Sequence, residues 1–398
     1  MTDTSQTANT PRRGWRGLPW GEVWTTVAAF VLALLIGAIL MIVSDRDVMS
    51  KFAYFFGRPT DALGASVDKV GSAYFALLKG AFGGWQAITE STAQAAPLIL
   101  AGLGVALAFR AGLINIGAQG QAIWGAVFAA YVGFSWHLPP VLQLVIAIVA
   151  GLLAGAIWGG IVGFLKARTG AHEVIVTIML NYVASGLLAY LLTTAAFRRP
   201  GRTDPISPVV DWNATFPRLA GSQLHLGFVL ALLAAVAVWW ILERSTVGFA
   251  LKAVGNNPHA AATAGMSVSR ASVIAMTLAG ALAGLAGVNA ALAPSVNGTP
   301  VPLSAGIVGS VGFDAVTVAL LGRSRPFGVV LAGLLFGALH SGGLAMQSQA
   351  QTPLTLTTAL QALIVLFVAA PALVGRVLPF LRGRRLRTGV PTSTGSLS

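Results

Sequence analysis

The amino-acid sequence predicts an all-α polytopic membrane protein of about ten transmembrane helices, with N- and C-termini cytoplasmic. Three observations lead there. Of 398 residues, 56% are hydrophobic and only 9% are charged, against roughly 25% charged in soluble chains, too few to cover a water-facing surface. A helix needs about 20 mostly apolar residues to cross the hydrocarbon core, and charge-free windows cover 23–44, 91–109, 111–165, 174–197, 219–242, 271–313 and 326–375. The windows 111–165 and 326–375 each hold two spans, as does 271–322 with Asp314 tolerated. Finally, with the N-terminus inside, 16 of the 25 basic residues fall on cytoplasmic segments, from Arg12, Arg13 and Arg16 to Arg382, Arg384, Arg385 and Arg387. The other nine lie in two longer external segments, where the orientation bias is weak and acids largely neutralise them. The net charge of +13 therefore reads as topology, not as a nucleic-acid surface.

These windows divide the chain into a cytoplasmic tail 1–23, a transmembrane domain 24–375 and a basic cytoplasmic tail 376–398. No stretch is left for a soluble catalytic domain of about 100 residues. The chain has no cysteine, which excludes disulfides, thiolate metal sites and cysteine nucleophiles. Lone histidines such as His137, His225 and His340 have no partner at metal-ligand spacing. Neither an enzyme nor a bound cofactor or metal is expected.

The first span, 24–43, exceeds a signal-peptide core, and Ser44-Asp45-Arg46 offers no cleavage site, so it reads as retained. Residues 74–88 of the following segment are aromatic and Gly-rich with Lys79 in their middle, too short to cross, and predict an interfacial or re-entrant helix. The second span, 91–109, carries Pro97, which predicts a kink. A polar, Gly-punctuated stretch then leads into the third, 117–135. The fourth, 141–164, has Gly151, Gly155, Gly159 and Gly163 on one face, where another helix can approach closely. His172 and Glu173 cap or anchor the fifth, 174–196; a Pro-rich external loop leads to the sixth, 225–242. The seventh, 271–291, has Gly280, Gly284 and Gly287 for packing, and the eighth to tenth occupy 305–321, 326–344 and 355–374. Val105–Arg110 and Val318–Arg323 form a weak internal pseudo-repeat, a mark of duplicated bundles that decides nothing alone in an Ala/Leu/Gly-rich chain.

The longest inner loop, 243–270, contains a well-capped helix: Asn257 at the N-cap, Pro258 at the first helical position, and Gly265 to close the end in a left-handed conformation. A connector needs only a few residues, so this loop reads as a docking element.

Here a resemblance becomes specific. Val254–Val268 (VGNNPHAAATAGMSV) resembles the cytoplasmic coupling loop of bacterial ABC importer permeases of the branched-chain amino acid and ribose class. Leu98–Gln121 (LILAGLGVALAFRAGLINIGAQGQ) looks like that class's signature in its nucleoside and simple-sugar branch, and Gly312–Arg323 (GFDAVTVALLGR) agrees with it. The likeness runs from 24 to 375; one departure is Ala118-Gln119, where that branch usually carries an acid before Gly120. The resemblance implies a permease subunit in the bacterial inner membrane, taking up nucleosides, with simple sugars or branched-chain amino acids as the alternative. It further implies a separate ABC ATP-binding subunit, a second homologous permease forming a heterodimer, and an extracytoplasmic substrate-binding lipoprotein. Gly255, Asn257, Pro258, Ala260, Ala261 and Gly265 would couple to the ATPase. All five lysines follow a non-glycine residue, so the chain has no phosphate loop and cannot itself be that ATPase.

Polar groups inside spans are expensive in lipid and usually face the bundle interior or a water-filled path. Asn115, Gln119, Gln121, Asn181, Tyr182, Asn289 and Asp314 are the candidates for a substrate path, with Gln94, His340 and Gln361 also within spans. Pairing with each other or with freed backbone is the competing structural role. Asp314, the lone acid inside a span, is bonded to backbone or to a group on another helix, or it serves as the coupling site of an ion-driven secondary transporter, the rival from another class.

Overall fold

A computed structural model describes residues 20–369 apart from residue 220; the basic tail 376–398 and nearly all of the tail 1–23 lie outside the described residues. Among those described, the chain is helical, with only two isolated bridges, Val209 to Pro302 and Arg218 to His225.

The first span is α1 (Trp20–Ser44), followed by a short α2 (Arg46–Phe52) that Asp45 caps by accepting from the amides of Asp47 and Val48. The segment 74–88, expected as one interfacial or re-entrant helix, is instead split: its first part ends a 24-residue helix, α3 (Pro59–Phe82), and its last part opens α4 (Trp85–Arg110), with the break at Gly83-Gly84. Helix α3 was missed because Asp61, Asp68, Lys69 and Lys79 interrupt its apolar face, which buries Ala62, Ala73, Ala76, Leu77 and Ala81. Next come α5 (Ala118–Ser135), α6 (Pro140–Thr169), α7 (Glu173–Leu191) and α8 (Leu226–Arg244). Two short helices, α9 (Thr246–Asn256) and α10 (Pro258–Thr263), fill the long loop. The chain closes with α11 (Val268–Leu292), α12 (Val311–Leu321), α13 (Pro326–Ala350) and α14 (Leu354–Ala369).

Among the described residues, seven helices, α1, α4, α6, α7, α8, α11 and α13, are long and apolar enough to cross a membrane. They match seven of the ten expected spans. The other three are shorter or more polar: α5 has 18 residues including Gln119 and Gln121, α12 has 11 and α14 has 16 described residues. The eighth expected span, 305–321, is helical only from Val311, because 305–310 is a run of turns, with Gly309 at φ 54°.

The tightest helix pair is α6 with α11, and the glycine ladder is the reason. A Cβ on Gly155 would lie 2.5 Å from the Gly284 Cα, and one on Gly284 would lie 2.6 Å from the Gly151 carbonyl oxygen. Bare backbones therefore meet where any side chain would force them apart. Helices α4, α5 and α11 carry most of the main core, including Ile99, Leu100, Leu103, Leu107 and Met276, all fully buried. A second, smaller core joins α1, α3, α13 and α14 around Met41, Leu77, Met346 and Leu360. Helices α3 and α4 pack on successive stretches of α13: Ser341 Oγ donates to the Gly80 carbonyl, and Gly333 abuts Ile99.

Candidate substrate path and coupling site

At the end of the bundle where α4 begins and α11 ends, a cavity of about 460 Å³ opens between α4, α11, α12, α13 and the start of α8. That size lies within the usual range for small-molecule sites, about 300–1,000 Å³. Helix α4 contributes Glu90, Gln94 and Pro97; Pro97 lacks the amide that would pair with the Ala93 carbonyl, and Ala93 also lines the cavity. Gln94 Nε2 donates to Glu90 Oε1 at 2.9 Å, which orients both side chains. Helix α11 contributes Asn289, which is 2% exposed and whose Nδ2 has no hydrogen-bond partner. A buried donor left unpaired costs about 1–3 kcal/mol, and this one is packed beside Gly227 of α8, where a Cβ would collide with it. From α12 comes Asp314, whose Oδ2 accepts from Ser310 Oγ at 2.7 Å, and from α13 comes His340. The serine just before the first turn of its own helix is thus a partner of this acid. Gln223 and His225 complete the polar wall.

Of the sequence-predicted path residues, Asn289 and Asp314 line this cavity and the other five do not. Gln119 lies just behind it: its Nε2 donates to the Gly309 carbonyl at 2.7 Å and its Oε1 accepts from the Gly312 amide at 2.9 Å. It clamps the start of α12 to α5, and a Cβ on Gly312 would collide with the Gln119 backbone. Asn115 and Gln121 are fully buried and bond each other through both amides, at 3.0 and 3.3 Å. Asn181 accepts from the Gly120 amide at 2.8 Å and donates to the Ile116 carbonyl at 3.0 Å. These three knit the irregular 111–120 stretch to α5 and α7. Tyr182 is 72% exposed on the outside of the bundle, away from the cavity.

Sequence reasoning missed Glu90, Ser310 and the contributions of Gln223 and His225. The charge-free window begins only at Ser91, next to Glu90, yet the helix starts at Trp85 and brings Glu90 inside. Its spacing of four from Gln94 was the available signal. The cavity therefore holds two carboxylates, not one.

At the opposite end of the bundle the long loop folds as its caps predict. Asn257 Oδ1 accepts from the Ala260 amide at 3.0 Å, Pro258 opens α10, and Gly265 closes it at φ 82°. The Met266 amide reaches back to the Ala261 carbonyl at 3.0 Å, completing the left-handed stop. Pro258, His259, Ala260 and Ala262 are exposed, whereas Ala261 is 4% exposed and faces the core, so it cannot offer a docking surface. Unpredicted was α9, whose end meets the Arg110–Gly112 turn: a Cβ on Gly112 would sit 3.0 Å from the Gly255 Cα. Arg110 Nε in turn donates to the Ser324 carbonyl at 3.0 Å, joining the ends of the two pseudo-repeat segments. Glu173 anchors α7 through Lys166 at 2.6 Å.

A polytopic helical bundle, with a polar cavity sunk between its helices at one end and a capped short helix presented at the other, defines a membrane permease. Residues 87–369 match the family model described as branched-chain amino acid transport system / permease component, and the chain belongs to that family. It is 39% identical to the guanosine ABC transporter permease protein NupP of Bacillus subtilis, over 86% of this chain and 91% of that one. It is 33% identical to the nucleoside ABC transporter permease protein NupB of Lactococcus lactis, over 90% of this chain and 93% of that one. It is 32% identical to the glucose ABC transporter permease protein TsgB13 of Haloferax volcanii, over 88% and 87% respectively. A second permease from each of the first two organisms, NupQ and NupC, also matches, at 27% identity. No solved structure matches significantly. The chain is a multi-pass ABC transporter permease.

Proposed function

We propose that this permease imports nucleosides across the bacterial inner membrane, through the cavity between α4, α11, α12 and α13. The observation that carries the reading is the cavity wall itself, which gathers the amides of Gln94, Gln223 and Asn289, the Ser310 hydroxyl, the imidazoles of His225 and His340 and two carboxylates, Glu90 and Asp314. Carboxylates accept from ribose hydroxyls, while amide and imidazole groups match the donors and acceptors of a base edge. Likeness to guanosine and nucleoside permeases supports the same class, while the glucose relative keeps simple sugars as the competitor.

Hydrolysis of ATP takes place on a separate subunit, which docks on the exposed face of α10. The matches to both members of the NupP and NupQ and the NupB and NupC sets support a second permease completing a heterodimer. A lipoprotein delivers substrate to the cavity end, and both termini face the cytoplasm. The test is uptake of labelled nucleosides and sugars by cells producing the chain with its ATPase, second permease and lipoprotein. Uptake should require ATP hydrolysis, persist when ion gradients are collapsed, and be competed by nucleosides. Competition by glucose alone would move the substrate to sugars, and ionophore-sensitive uptake by this chain alone would overturn the ABC mechanism.

A further inference from the structure

A second cavity, unrelated to the substrate path, lies where α6 ends and α11 begins. It has a volume of about 480 Å³, an apolar floor including Phe164, Val273 and Ile274, and a rim of Arg168, Ser269 and Arg270. The Arg168 guanidinium stands 5.9 Å from the centroid of the Phe164 ring. Neither arginine has an ion pair among the described residues, because the nearest acid of this loop, Glu173, is already bonded to Lys166. Two cations thus sit unneutralised at the mouth of an apolar groove.

We propose that this groove binds an anionic phospholipid, its phosphate between Arg168 and Arg270 and its acyl chains along the outer face of α6. Charge and length both fit. Ile157, Ile161 and Phe164, at 66%, 37% and 54% exposure, form a stripe leading away from Arg168 on the outside of the bundle. From Ile157 to Arg168 the helix rises by about 16 Å at 1.5 Å per residue, close to half of a hydrocarbon core about 30 Å thick. Basic pockets between transmembrane helices select anionic headgroups for the same reason. Arg270 is in the first turn of α11, directly after α10, so the lipid braces the helix that leaves the docking element.

The test uses the full-length chain in nanodiscs of phosphatidylcholine alone or mixed with phosphatidylglycerol. The anionic lipid should raise the melting temperature by several degrees and remain bound in native mass spectra. The double variant Arg168→Gln/Arg270→Gln should melt with the wild type in phosphatidylcholine and lose the increment; Arg168→Lys/Arg270→Lys should keep most of it. If the double variant does not fold, Arg270→Gln alone should lose part of the increment. An undiminished increment in the glutamine variants, or none in the wild type, overturns the proposal. So does an equal shift from soluble glycerol phosphate, which would make the site one for free anions. Loss of ATP-binding-subunit association with the lipid effect intact would assign the arginines to that partner instead.

Discussion

Asn289 and Gln119 are both amides within the bundle, yet their surroundings assign them opposite roles. Gln119 spends both ends of its side chain on the backbone of Gly309 and Gly312, so Gln119→Leu should lower stability by about 1–3 kcal/mol by leaving the buried Gly312 amide unpaired. Thermal unfolding in detergent would measure it, and an unchanged midpoint would refute the clamp. Asn289 Nδ2 bonds nothing in the protein. Asn289→Leu should therefore cost little stability but reduce nucleoside affinity about tenfold, the value of roughly one hydrogen bond. Binding to the purified transporter would show it, and wild-type affinity would take Asn289 out of the path. Periodicity could place both amides within helices; it could not reveal which had found a partner, because those partners lie about 190 residues away or are missing.

At the scale of elements, what was legible in the sequence was local chemistry. The Asn257, Pro258 and Gly265 signals fixed α10 because capping depends on adjacent residues. The glycine ladder announced a close partner but not that it would be α11. Face assignment on a six-residue helix was beyond reach, and Ala261 turned inward. Ala260→Arg is the informative substitution: it should leave the melting midpoint intact and abolish permease-stimulated ATP hydrolysis, whereas stimulated hydrolysis at the wild-type rate would free α10 of its docking role. Ala261→Arg should instead unfold the local structure. Helix α3 escaped notice because its charges hid a face that packs on α13, and one of those charges is structural. Lys69 pairs with Asp45 at 2.7 Å and donates to the Ala350 carbonyl. That hydrogen bond holds the Asp45 carboxyl below its ordinary value of 3.8. A lowered carboxylate pKa contributes stability above the unfolded value, and the contribution is lost as pH falls through the folded one. Stability should therefore fall below about pH 4, and less steeply in Asp45→Asn, as measured by melting midpoints between pH 5 and 3.

For the whole molecule, the shortage of charge forecast a polytopic helical bundle because lipid admits little else, and seven of the expected spans among the described residues are long and apolar enough to cross, with the shorter apolar α12 and α14 besides. Hydropathy windows cannot register the turns at 305–310, where apolar sequence lines a cavity. Sidedness is the remaining global property, and it rests on the basic residues gathered near Arg110, Lys166, Arg244, Arg270 and Arg323 at one end of the bundle. The natural absence of cysteine makes it directly measurable, since a single introduced thiol is the only reactive one. Thr203 and Thr263 are both exposed, the first in the Pro-rich loop near the cavity end and the second on α10. In intact spheroplasts an impermeant maleimide should label Thr203→Cys and leave Thr263→Cys untouched until the membrane is permeabilised. The reverse pattern would invert the bundle, setting the cavity toward the cytoplasm and α10 beyond reach of an ATP-binding subunit.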